Sequence, residues 1–141
     1  MKFFKVIIFI SCLFSFSALG QLNIYLGDAY SKEMPPFSEN IAVYITVGNL
    51  GDHGISLENV TSEDADSAMI HRSIMKNGMI TMEYLSELYI PPRGNIRLEP
   101  GGLHIMLVGL KRSFRAGDKI RMNLNFSNGL VLKVDVPILK N

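Results

Sequence analysis

The chain has 141 residues, with 14 basic against 13 acidic side chains, 8 methionines, no tryptophan and a single cysteine. So even a charge balance gives no electrostatic footing for nucleic acid or an anionic membrane surface. One cysteine excludes an intramolecular disulfide and a multi-thiolate metal site.

In chain order, Lys2 and Lys5 precede the apolar run Val6 to Phe16, and Ala18-Leu19-Gly20 offers small residues three and one before a cut. That layout predicts a secretory signal peptide over residues 1–20 and a mature chain from Gln21 to Asn141. Cleavage after Gly20 would remove Lys2, Lys5 and Cys12, leaving 12 of the 14 basic residues against 13 acidic ones, and no thiol. Phe9-Ile10-Ser11-Cys12 also has the outline of a lipobox, but the apolar run continues past Cys12, which favours simple cleavage; an uncleaved anchor is a further alternative. Each outcome puts the chain outside the cytoplasm, with the periplasm as the expected compartment. No later stretch approaches the ~18 to 20 apolar residues of a membrane span, so the mature chain is expected to stay out of the bilayer.

Beyond Gln21 the apolar residues fall in short pieces: Leu22 to Leu26, Ile41 to Val47, Ala68 to Ile74, Met79 to Leu85, Leu103 to Leu110, Ile120 to Phe126 and Leu130 to Val136. Between them stand turn formers such as Pro35-Pro36, Gly51-Asp52-His53-Gly54, Asn77-Gly78, Pro91-Pro92-Arg93-Gly94 and Pro100-Gly101-Gly102. Seven or more short strands at this spacing predict an all-β sandwich or small barrel in one domain. Asn77-Gly78 and Asn128-Gly129 each sit between apolar strands, and Asn-Gly favours a two-residue type I′ turn because both positions take positive φ. With that turn at Asn77-Gly78, His71 faces Tyr84, and Met82, opposite Ser73, lies diagonally from His71 on the same face. A three-residue loop would put His71 and Met82 on opposite faces.

Six methionines lie between residues 34 and 106. Met commonly fills gaps in a core. The strand around His104 argues for more, because period-2 geometry puts His104 and Met106 on one face and Leu103, Ile105 and Leu107 on the other. The aliphatic face suffices for a core, so His104 beside Met106 is not required by packing. Imidazole with thioethers makes a soft donor set that suits Cu(I) and disfavours zinc, magnesium and calcium. Met69 and Met75 share the face of His71 and are read as packing residues able to substitute as donors. His53, in a glycine-rich turn, is read as solvated. No Ser-His-acid set, paired carboxylates or phosphate loop stands out, so no enzyme is expected.

His71, Met82, His104 and Met106 follow the spacing His, ten residues, Met, twenty-one residues, His, one residue, Met. That spacing, with Leu98-Glu99-Pro100-Gly101-Gly102-Leu103-His104-Ile105-Met106-Leu107, resembles the PCu(A)C-type periplasmic copper chaperones. Gly109-Leu110-Lys111, Gly117-Asp118, Leu124-Asn125-Phe126 and Ala42-Val43-Tyr44 with Asn49 extend the resemblance over roughly residues 22 to 137. It implies a cupredoxin-like Greek-key β-sandwich, with one Cu(I) held by His71, Met82, His104 and Met106. It also implies delivery to a copper-accepting protein such as the CuA subunit of cytochrome c oxidase, by a protein expected to be a monomer. Arg72 stands where members often carry an acidic residue, and the His- and Met-rich C-terminal tail of some members is absent. Two alternatives use the same residues differently: a periplasmic copper buffer or resistance protein, and a β-sandwich interaction module without metal.

Overall fold

The computed structural model describes residues 23–141, so the expected signal peptide, with Cys12, lies outside the described residues. Ten strands follow in order: β1 (Ile24–Lys32), β2 (Asn40–Asn49), β3 (Ile55–Ser62), β4 (Ala65–Lys76), β5 (Met79–Leu85), β6 (Leu88–Ile90), β7 (Gly94–Arg97), β8 (Leu103–Leu110), β9 (Lys119–Phe126) and β10 (Val131–Leu139). The all-β class read from the sequence is the class observed, and the described residues contain no helix. Three strands escape a reading by apolar runs. β3 carries Glu58, Asn59 and Thr61 among its apolar residues, and β6 and β7 are only 3 and 4 residues long.

Alternation along β2 explains the core. Ile41, Val43, Ile45 and Val47 are at most 1% exposed, while their neighbours Ala42, Tyr44 and Thr46 face outward and are only partly covered. Ile105 and Leu107 of β8 join them, and Leu57, Ile120, Leu124 and Val136 close the core from β3, β9 and β10. The strand path runs β5-β4-β8-β2-β1-β10-β9-β3-β6, with β7 paired to β2. β1 joins the two halves of this path, pairing antiparallel with β2 and parallel with β10 through Ser31↔Ile138 and Lys32↔Leu139. Asn49, 2% exposed, donates from Nδ2 to the carbonyls of His53 at 2.7 Å and Ile90 at 3.4 Å, so its buried amide is satisfied.

The two Asn-Gly pairs turn in different ways. Asn77 and Gly78 both take positive φ, 51° and 76°, and Lys76 pairs with Met79, the expected type I′ turn. At the second pair only Gly129 has positive φ, 83°. Val131 pairs with Asn125, and the Gly129 amide donates to the Phe126 carbonyl at 3.0 Å. The loop is therefore three residues, Ser127 to Gly129, a turn followed by a left-handed glycine, and the expected two-residue turn is corrected. The Asn128 side chain accepts from the Leu130 amide at 3.0 Å, a local bond that competes with the left-handed conformation a type I′ turn demands of Asn128.

Candidate metal centre

β4 lies between the edge strand β5 and β8, and its register with both assembles the His and Met residues. Across β8, His71 stands opposite His104 and Met69 opposite Met106. Across β5, His71 stands opposite Tyr84 and Ser73 opposite Met82. Directly opposed residues share a face, so all these side chains lie on the side of the sheet away from Ile70, Ile105 and Leu107, which are 4%, 0% and 0% exposed in the core. The split of β8 expected from its sequence is thus observed. His104 is more enclosed than an outer face suggests, at 3% exposure, whereas Met82 is 54% exposed. The His71 ring meets the His104 ring edge to face, with centroids 5.7 Å apart, and meets the Tyr84 ring edge to face at 6.4 Å.

The proton on His104 follows from one contact. Its Nδ1 lies 3.1 Å from the Gly102 carbonyl, and a carbonyl oxygen can only accept, so Nδ1 carries the hydrogen and Nε2 holds the lone pair. That same carbonyl accepts the Ser73 amide at 3.0 Å, tying the start of β8 to β4. His104 Nε2 and His71 Nδ1 are buried without a hydrogen-bond partner. Leaving a buried polar atom unpaired costs about 1 to 3 kcal/mol, so two in facing rings require an explanation. Burial, and next the charge of His104, lowers the pKa of His71 below the usual histidine range. Neutral imidazole, the form that ligates metals, is therefore favoured.

The other candidate donors are sulfur. Met106 is half-buried on the rung next to His104, and Met82 accepts a hydrogen bond from the Ser73 hydroxyl, 3.4 Å from its sulfur. Among the described residues no group of three or more His, Cys, Asp or Glu converges to hold a metal ion. An ion here therefore meets imidazole and thioether. Arg72 lies on the opposite face of β4, paired with Glu83 at 3.8 Å, and does not point its charge into the cluster. His53 is exposed in its turn, as expected, and Met75 is 69% exposed opposite Ile80. Met69 is the residue whose place the sequence alone undervalued. Its position across from Met106 depends on how β8 pairs with β4, which no local pattern reports.

Residues 24–138 match the family model "Putative lipoprotein LpqE-like". The chain belongs to the LpqE-like family. Two curated proteins resemble this LpqE-like chain: "Putative lipoprotein Lxx21020" of Leifsonia xyli subsp. xyli, 41% identical over 98 residues, and "Uncharacterized protein RP573" of Rickettsia prowazekii, 28% identical over 102 residues. These alignments take in 69% and 70% of the chain but 59% and 55% of the two relatives, so the chain spans little more than half their length. Among solved structures, the copper-bound PCuAC domain from PmoF2 superposes with a TM-score of 0.72 at 21% identity, over 84% of this chain and 94% of that one. The solution structure of CuI-DR1885 from Deinococcus radiodurans superposes at 0.66 with 33% identity, over 82% of this chain and 77% of that one. The LpqE-like chain thus shares the PCuAC-type fold.

Proposed function

We propose that this LpqE-like protein is a non-enzymatic Cu(I) carrier acting outside the cytoplasm. It takes one Cu(I) on His71, Met82, His104 and Met106, and hands it to a copper-accepting protein such as the CuA subunit of cytochrome c oxidase. The observation that carries this reading is the pair of facing imidazoles with buried, unpartnered nitrogens, flanked by thioethers. A soft monovalent ion satisfies both nitrogens at once, and neutral sulfur and nitrogen donors suit it better than zinc, magnesium or calcium. Copper in the solved relatives PmoF2 and CuI-DR1885 supports the choice of ion. The predicted leader and the lipoprotein name of the Leifsonia relative support an extracytoplasmic setting.

Transfer follows from unequal exposure. His104 anchors the ion in the enclosed part of the cluster, while Met82 sits on an edge strand where an incoming ligand meets the ion first. Thioethers never protonate in the physiological range, so only the two histidines compete with protons for the ion.

An anaerobic titration of the mature protein with Cu(I), against a chromophoric chelator, tests the reading. One ion per chain is expected, and Met106→Ala should weaken binding by at least about tenfold, the scale on which even outer-shell partners act. Absence of stoichiometric binding, or an unchanged affinity in Met106→Ala, would sink it. Deleting the gene and assaying oxidase assembly separately from copper tolerance decides between delivery and buffering.

A further inference from the structure

Met69 faces Met106, and His71 faces His104, so two neighbouring rungs of one ladder carry four donors on one side of the sheet. Opposed Cβ atoms stand ~4.5 to 5.5 Å apart and rungs on one face repeat every ~7 Å, so the four fit one small rectangle. β4 and β8 alone therefore supply two imidazoles and two thioethers. Met82 belongs to another strand and to the rung beyond, across from Ser73, whose hydroxyl holds its sulfur in this structure.

The surroundings of Met69 leave it free to act. Ile70, its neighbour, fills the core, whereas Met69 is half-buried on the donor face. On one flank β5 ends at Leu85, opposite Ile70, so no β5 rung covers Met69. On the other, the residue of β2 facing Met106 is Ala42, too short to crowd the thioethers.

Resting on the Cu(I) reading above, we propose that Met69 is a fifth donor. It takes the place of Met82 on the ion when an acceptor engages the exposed edge. One copper–sulfur bond, to Met82, breaks as another, to Met69, forms; no electron or proton moves, because thioethers carry neither charge nor an ionisable hydrogen. The ion then keeps two nitrogens and two sulfurs from this chain while Met82 is displaced.

The test uses Met69→Leu, Met82→Leu and the double variant, since Leu keeps the volume of Met without a donor atom. X-ray absorption of the Cu(I)-loaded proteins counts sulfur neighbours, and anaerobic chelator competition gives affinity. Met82→Leu is expected to retain two sulfurs, and the double variant to retain one, with a further loss of at least about tenfold in affinity. A single sulfur in Met82→Leu overturns the proposal, and that measurement decides even if the double variant does not fold. Equal affinities for Met82→Leu and the double variant overturn it as well. Failure of the unmodified protein to bind Cu(I) instead sinks the copper reading itself.

Discussion

His71 and His104 face each other across β4 and β8, ring edge to ring face at 5.7 Å, and each keeps one buried nitrogen without a partner. A fold shaped by stability alone would fill this place with apolar rings. His104→Phe is therefore expected to leave the metal-free protein as stable as the parent or more stable by about 1 kcal/mol, because the orphaned nitrogen disappears. The Gly102 carbonyl keeps its bond from the Ser73 amide. Urea unfolding measures the gain, and the Cu(I) titration should record loss of tight binding. Destabilisation by several kcal/mol would mean that the imidazole is structural.

The hairpin turn governs whether Met82 reaches the histidines at all. Deleting Gly78 leaves Asn77 and Met79 as the two turn residues, pairs Lys76 with Ile80 and shifts the β4–β5 register by one, setting Met82 opposite Ile74 on the face of Arg72. Copper affinity should fall to that of Met82→Leu. The milder Gly78→Ala tests the backbone alone: nothing lies within 4 Å of a Cβ there, so its cost is the left-handed strain of about 1 to 2 kcal/mol. A deletion variant that binds copper differently from Met82→Leu would show that the turn does not set the reach of Met82.

Stability of the metal-free protein should depend on pH through His71. An unfolded imidazole takes up its proton near pH ~6.5, whereas the folded His71 does so only at lower pH because burial and the charge of His104 oppose it. As pH falls through ~6.5 the unfolded state therefore binds more protons, and stability drops until the folded residue protonates too. Denaturant midpoints between pH 8 and 5 measure the slope. His71→Asn should flatten it, and bound Cu(I) should move the loss to lower pH by holding the imidazole neutral.

Arg72 is a negative control. Its partner is Glu83 at 3.8 Å, both side chains are about half exposed, and the pair occupies the face away from the donors. Arg72→Ala should change stability by no more than about 1 kcal/mol. It should alter Cu(I) affinity less than twofold. A large change in affinity would place this charge within electrical reach of the ion.

Local sequence carried the parts of the structure that depend on neighbours in the chain. Period-2 alternation separated His104 and Met106 from Ile105 and Leu107, and Asn77-Gly78 fixed the partner of every residue in the β4–β5 hairpin. The second Asn-Gly misled because the Asn128 side chain captured the Leu130 amide and chose another loop. What local pattern does not encode is the pairing of strands far apart in sequence. Met69 against Met106, and the Ser73 amide that ties the Gly102 carbonyl to β4, both arise from β4 meeting β8.

The donor face is built from uncharged groups, and this has a bearing on recognition. A site of carboxylates or thiolates would cancel the charge of its ion; imidazoles and thioethers do not, so a loaded chain differs from an empty one by a full positive charge at an exposed sheet edge. Tyr84, Ile80 and Met75 surround that edge with apolar surface, 62%, 68% and 69% exposed, which screens the charge little. An acceptor bearing a carboxylate opposite this edge would feel attraction from the loaded protein and none from the spent one. For the proposed Cu(I) carrier, docking would then depend on cargo, and release of the ion would remove the reason to stay bound.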